Sequence, residues 1–96
     1  MITSKQRAYL RGLANTIPAL YQVGKGGIDQ TLIKTLDEAL EAKELIKVHV
    51  LENSGENTKE LCNFIAERLN AEPVQAIGSK FVLYRESENK KQIVLK

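Results

Sequence analysis

The chain has no tryptophan, one cysteine (Cys62), one histidine (His49) and two prolines, and apolar residues never run long enough for a membrane span. A lone cysteine excludes an internal disulfide and suits a reducing compartment, so Cys62 reads as a small buried hydrophobe. No His/Cys cluster has metal-ligand spacing, and there is no nucleophile–base pair and no Walker loop. The sequence therefore reads as a non-enzyme with no metal, cofactor or small-molecule substrate. His49 lacks any sequence-adjacent acid, base or metal partner and is expected to be an ordinary outward residue of a strand. Met1 to Arg7 lacks the apolar stretch of a signal peptide, so a soluble, cytoplasmic protein is expected, with no membrane partner. Repeats, low-complexity segments and a heptad seam are missing too, which points to a monomer.

What is present fits one domain spanning residues 1–96. With 43% hydrophobic content, 96 residues can bury a modest core without staples. The formal net charge is only +2, but it is unevenly placed. Residues 1–28 carry Lys5, Arg7, Arg11 and Lys25 and no acid. Residues 29–72 are strongly acidic, and residues 73–96 are basic again. This resembles one basic face backed by an acidic one, the footprint a polyanion partner needs, provided the blocks do not intermix in space.

Along the chain, Thr3 followed by Gln6 is a capping-box signature, opening a helix over Thr3–Ala14 with Tyr9, Leu10 and Leu13 on one face. Arg7 and Arg11 lie one turn apart on its flank. Pro18 ends helix, and Ala19 to Val23 suits a short strand. From Asp29 as N-cap, Leu32, Ile33, Leu36, Ala39 and Leu40 form an apolar stripe, with Lys34, Asp37, Glu38 and Glu41 opposite. Leu45 to Leu51 alternates as a half-buried strand, with Ile46, Val48 and Val50 on one side and Lys47 and His49 on the other. After a loop at residues 53–56, Asn57 and Glu60 open a helix with a stripe of Leu61, Phe64, Ile65 and Leu69. Val74 to Ile77 and Lys80 to Tyr84 flank Gly78-Ser79, a two-residue turn with glycine first as a type II′ hairpin prefers. Gln92 to Leu95 reads as a short edge strand or a frayed end. The fold class is α/β in the order α-β-α-β-α-β-β, with a four-stranded mixed sheet covered by helices.

The most informative junction is Gly24-Lys25-Gly26-Gly27, between the first strand and the second helix. Its G-x-x-G frame allows positive φ and close approach to a ligand, Lys25 supplies charge, and the next helix offers N-terminal amides. Open α/β sheets bind ligands at this end of the strands. The other reading is a strand-to-helix turn that needs glycines for geometry alone.

Thr3-Ser-Lys-Gln-Arg7, Tyr9-Leu-Arg11, Val23-Gly-Lys-Gly-Gly-Ile28, Glu44-Leu-Ile-Lys-Val48 and Gly78 to Arg85 together resemble the CRM domain of the YhbY-like bacterial proteins. The resemblance runs nearly end to end, though residues 86–96 match only loosely. It implies a sheet similar to that of the C-terminal domain of bacterial translation initiation factor three, and a glycine loop similar to that of KH domains. It also implies an RNA-binding role on precursors of the large ribosomal subunit. Plant organelle relatives use such domains in intron splicing within longer chains, which makes ribosome assembly the expected setting here. Mapped onto this chain, the family's loop falls on Gly24, Lys25, Gly26 and Gly27, and its basic first helix on Lys5, Arg7 and Arg11.

On that reading the loop amides and Lys25 clamp successive phosphates while Arg7, Arg11 and Lys5 extend the contact. This is recognition of shape and backbone, with about four phosphate contacts and a log–log salt slope near −3 for single strands. Base stacking is expected to be minor, since Tyr9, Tyr21 and Tyr84 are the partly polar aromatics available and each can serve the core. Two rivals remain open. The basic face could dock on an acidic protein partner with a purely structural loop, or it could bind DNA.

Overall fold

A computed structural model of the chain describes residues 2–95. Met1 and Lys96, the two ends of the expected domain span, lie outside the described residues. The elements are α1 (Ser4–Ala14), β1 (Tyr21–Val23), α2 (Gln30–Lys43), β2 (Leu45–Val50), α3 (Thr58–Arg68), β3 (Glu72–Ile77) and β4 (Lys80–Tyr84), with a 3₁₀ turn at Glu52–Ser54. The order and the four-stranded mixed sheet are those read from the sequence.

The helix starts follow their capping residues. Thr3 and Gln6 form the full reciprocal box, with the Gln6 amide on Thr3 Oγ1 (3.1 Å) and the Thr3 amide on Gln6 Oε1 (2.9 Å). Asp29 and Asn57 cap α2 and α3 by accepting from the Leu32 and Glu60 amides. Between β3 and β4, Gly78 has a φ of +60° while Ser79 stays on the negative side. That combination is the type II′ arrangement.

Strand order is β1-β2-β4-β3: β1 runs parallel to β2, and β4 pairs antiparallel with both β2 and β3. Pro73 is tolerated because β3 is an edge strand, and a register irregularity between Pro73 and Gln75 turns Val74 inward.

The sheet has a different cover on each face. Ile46, Val48, Val50, Phe81 and Leu83 face α2 and α3 and form the main core with Leu36, Leu40, Leu61 and Ile65. On the other face Leu45, Val82, Tyr84 and Val74 pack under Leu10 and Ala14 of α1. Tyr9, expected in the α1 stripe, is 48% exposed, and Ala14 takes the inward position. In α3 likewise Phe64 is 52% exposed, and Cys62 and Ala66 complete the buried stripe. Burial raises the Cys62 thiol pKa to about 11, leaving it inert at neutral pH.

The C-terminal segment departs most from expectation. Gln92 to Leu95 form neither an edge strand nor a frayed end, and residues 86–91 before them are held as well. Ile93 and Leu95 pack against the α1 core, and the backbone is pinned by two α2-end carboxylates. Glu44 accepts from the amides of Ser87 (2.7 Å), Gln92 (2.6 Å) and Ile93 (2.7 Å). Glu41 accepts from the Ser87 hydroxyl (2.7 Å) and the amides of Glu88 and Asn89 (both 3.1 Å). Thus Glu41, read as part of an outward acidic patch, is a structural acceptor. Asp37 from the same patch takes the Arg85 guanidinium at 2.6 Å.

Candidate functional site

The glycine loop sits where parallel pairing ends. The Leu51 amide reaches the Val23 carbonyl (2.9 Å), tying the last residue of β1 to the end of β2. The chain then reverses in one tight turn, closed by the Gly27 amide on the Gly24 carbonyl (2.9 Å). Lys25 and Gly26 form the exposed tip, and among the described residues their amides meet no acceptor. The tip is therefore a small electropositive projection: one flexible ammonium and two free N–H groups.

The glycines have different reasons to be there. Gly27 has a φ of +65°, where an L side chain is strained, so the turn itself requires it. Gly26 is under no such constraint, and a Cβ built on it meets nothing within 4 Å. A Cβ on Gly24 meets only Leu51 Cδ1, at an ordinary 3.7 Å. A side chain would therefore meet no steric obstacle within the fold at either of these two positions.

The start of α2 is less open than the sequence suggested. The Asp29 carboxylate takes the Leu32 amide at 2.7 Å and puts a negative charge at the helix N-terminus. The Asp29 charge makes the helix end a poorer place for an anion than the tip, which carries the lysine and the free amides.

Lys5, Arg7 and Arg11 lie on α1, away from this tip. Arg7 Nε donates to the Pro73 carbonyl (3.2 Å), at the start of edge strand β3, whereas the loop caps β1 at the opposite edge and opposite end of the sheet. Strand spacing and rise put the two roughly 20 Å apart. Lys5 and Arg11 are exposed, and Arg7 keeps its terminal nitrogens unclaimed by any described residue. The predicted residues therefore form two separate basic features, not one cluster. Of the tyrosines, Tyr84 is buried, Tyr21 lies under the Lys43 ammonium (5.6 Å to the ring centroid), and Tyr9 alone is open.

The sequence reading passed over the residues between the two features. Lys47 and His49 share the α1 side of β2, as their alternation announced, and β4 brings Lys80 beside His49. That neighbour was hidden because the β2–β4 pairing is not a sequence-local property. Among the described residues no group of three or more His, Cys, Asp or Glu could hold a metal ion. No helix among them is long and apolar enough to cross a membrane.

The model of the CRS1/YhbY (CRM) domain matches residues 2–85, from the α1 cap through the glycine loop to the end of the sheet. The chain belongs to the CRM domain family. It is 44% identical over 95 residues to the "Probable RNA-binding protein YqeI" of Bacillus subtilis, covering 99% of both chains. A Haemophilus influenzae protein named as an RNA-binding protein is 34% identical over 90 residues, covering 94% of this chain and 91% of its own. The solution structure of the hypothetical protein SAV1595 from Staphylococcus aureus, 50% identical, superposes at a TM-score of 0.83 and covers 100% of both chains. The pinned tail, residues 86–95, thus lies beyond the matched CRM region.

Proposed function

We propose that this CRM domain is an RNA-binding protein that acts on ribosomal RNA in precursors of the large ribosomal subunit. On this reading it works in the cytoplasm as a monomer without a cofactor. The Lys25–Gly26 tip clamps phosphate oxygens with its ammonium and free amides, and Lys5, Arg7 and Arg11 extend the backbone contact. The observation that carries the reading is the tip itself: an exposed lysine between two glycines where a side chain would meet no steric obstacle, in a family whose relatives bear RNA-binding names. Recognition of this kind follows shape and charge; the exposed aromatics among the described residues, Tyr9 on α1 and Phe64 on α3, both lie outside the glycine loop.

The test is sucrose-gradient sedimentation of cell extract with the wild type and a Lys25→Asp, Gly26→Asp variant shown to be folded. Co-migration of the wild type with large-subunit precursors, lost in the variant, is the expected result. Free protein at the top of the gradient in both cases defeats the ribosomal assignment. Equal co-migration of both makes the loop structural and moves the contact elsewhere.

A further inference from the structure

The sheet face that carries α1 is only half covered. Leu10 and Ala14 sit over Leu45, Val74, Val82 and Tyr84, which belong to the lower rows of the sheet. Above them one row crosses all four strands: Gln22 of β1 pairs with His49, His49 with Lys80, and Lys80 with Ile77. Strand alternation turns these side chains to the α1 side, yet no helix lies over them. Gln22 and Lys80 are exposed, His49 is half-buried, and Ile77 is 68% exposed. Lys47, one step below His49 on the same face, is half-buried beside the α1 layer.

The charge of this strip is one-sided. Lys47, His49 and Lys80 stand together, and no strand residue of the row is acidic. The acids Glu52 and Glu56 are confined to the loop after β2, where they rim the cleft next to His49 and Ser79. The strip also has a direction. It begins beside Gln22, two residues before the glycine loop, and lies on the face that α1 occupies with Lys5, Arg7 and Arg11. It thus fills the gap of roughly 20 Å between the two basic features.

We infer that the uncovered row of the sheet is a second RNA-contact surface, in which Lys47 and Lys80 bind phosphates and His49 and Gln22 offer hydrogen bonds to a single RNA strand. This rests on the RNA-binding reading and extends it: the strand runs from the glycine loop across the sheet toward α1. A single strand is favoured because the part of β2 beyond the α1-covered Leu45, from Lys47 to Val50, is only four residues long, roughly 13 Å. Two more phosphate contacts raise the expected total from about four to about six, moving the salt slope from near −3 to near −4.

The experiment is titration of a labelled single-stranded RNA by fluorescence anisotropy across a salt series. The proteins are the wild type, a Lys47→Gln, His49→Gln, Lys80→Gln variant and the Lys25→Asp, Gly26→Asp variant. The expected result is a wild-type slope near −4 that returns to about −3 in the sheet variant, with affinity lower on the order of tenfold. A sheet variant that binds like the wild type, while the loop variant is weakened, overturns this inference and leaves the RNA-binding reading standing. A wild type that binds no RNA overturns both. Amide NMR mapping on the unmodified protein gives an independent check. Shifts at residues 47–50 and 80–82 on adding the RNA support the surface, and shifts confined to residues 24–28 and α1 refute it.

Discussion

Three glycines in four residues look redundant in the sequence, but each answers to a different constraint. Gly27 is held at a φ of +65° by the turn, so Gly27→Ala is expected to cost about 1–2 kcal/mol and lower Tm by several degrees. Gly26 has open space around its Cβ position, so Gly26→Ala is expected to leave Tm unchanged or slightly higher. If the bare backbone serves phosphate approach, the same Gly26→Ala variant weakens RNA binding several-fold. Calorimetry beside an anisotropy titration reads both effects, and unchanged affinity in Gly26→Ala returns the loop to a purely geometric role. The sequence marked all four loop positions correctly as a junction, but it could not separate the two kinds of glycine. That distinction lies in a dihedral angle and in the emptiness around a missing atom. His49 shows the same limit: its outward direction was legible, its neighbours were not.

Elements were most legible where local signals dominate. Each α-helix begins at the capping residue the sequence named, and β2 shows the expected alternation, with Ile46, Val48 and Val50 in the main core and Lys47 and His49 on the other side. The last segment was illegible because nothing local holds it: its partners are Glu41 and Glu44, more than forty residues earlier. Glu44 is fully buried and sits at a φ of +68° just past the end of α2, a strained position that aims its carboxylate at the tail. Burial alone would raise its pKa, but the Ser87, Gln92 and Ile93 amides and nearby Lys91 outweigh this and lower it below 4.5. The Ser87 hydroxyl, followed by the Glu88 and Asn89 amides, lowers Glu41 as well. Carboxylates with depressed folded-state pKa values stabilise the protein above the unfolded value. That stabilisation is lost as pH falls through 4.5 and then through the lower folded values. A Glu41→Gln, Glu44→Gln variant is therefore expected to melt lower at neutral pH and to show a flatter decline of Tm below pH 5. A decline as steep as that of the wild type would mean that other groups govern acid unfolding.

At the scale of the whole molecule, the uneven charge of the sequence becomes a difference between the two sides of the sheet. The acid-free first block forms α1 and the glycine loop, and the acidic middle block supplies α2 and α3 on the opposite face. Order, class and strand number could be read because each crossover helix has one apolar stripe. The placement of β4 between β2 and β3 could not, since it depends on long-range pairing. That placement also bears on how the protein is made. β4, which follows β3 in the chain, is an inner strand, so β3 has no partner and β2 lacks one neighbour until β4 is available. A chain halted at Ile77 cannot assemble the sheet, and such a fragment is expected to lack cooperative thermal unfolding by circular dichroism. Completion of the sheet must therefore wait for β4, because non-local pairing cannot offset the entropy of loop closure before its partner strand exists. Until β4 emerges from the ribosome, the partial domain carries an open sheet edge along β2 and a β3 with nothing to pair with.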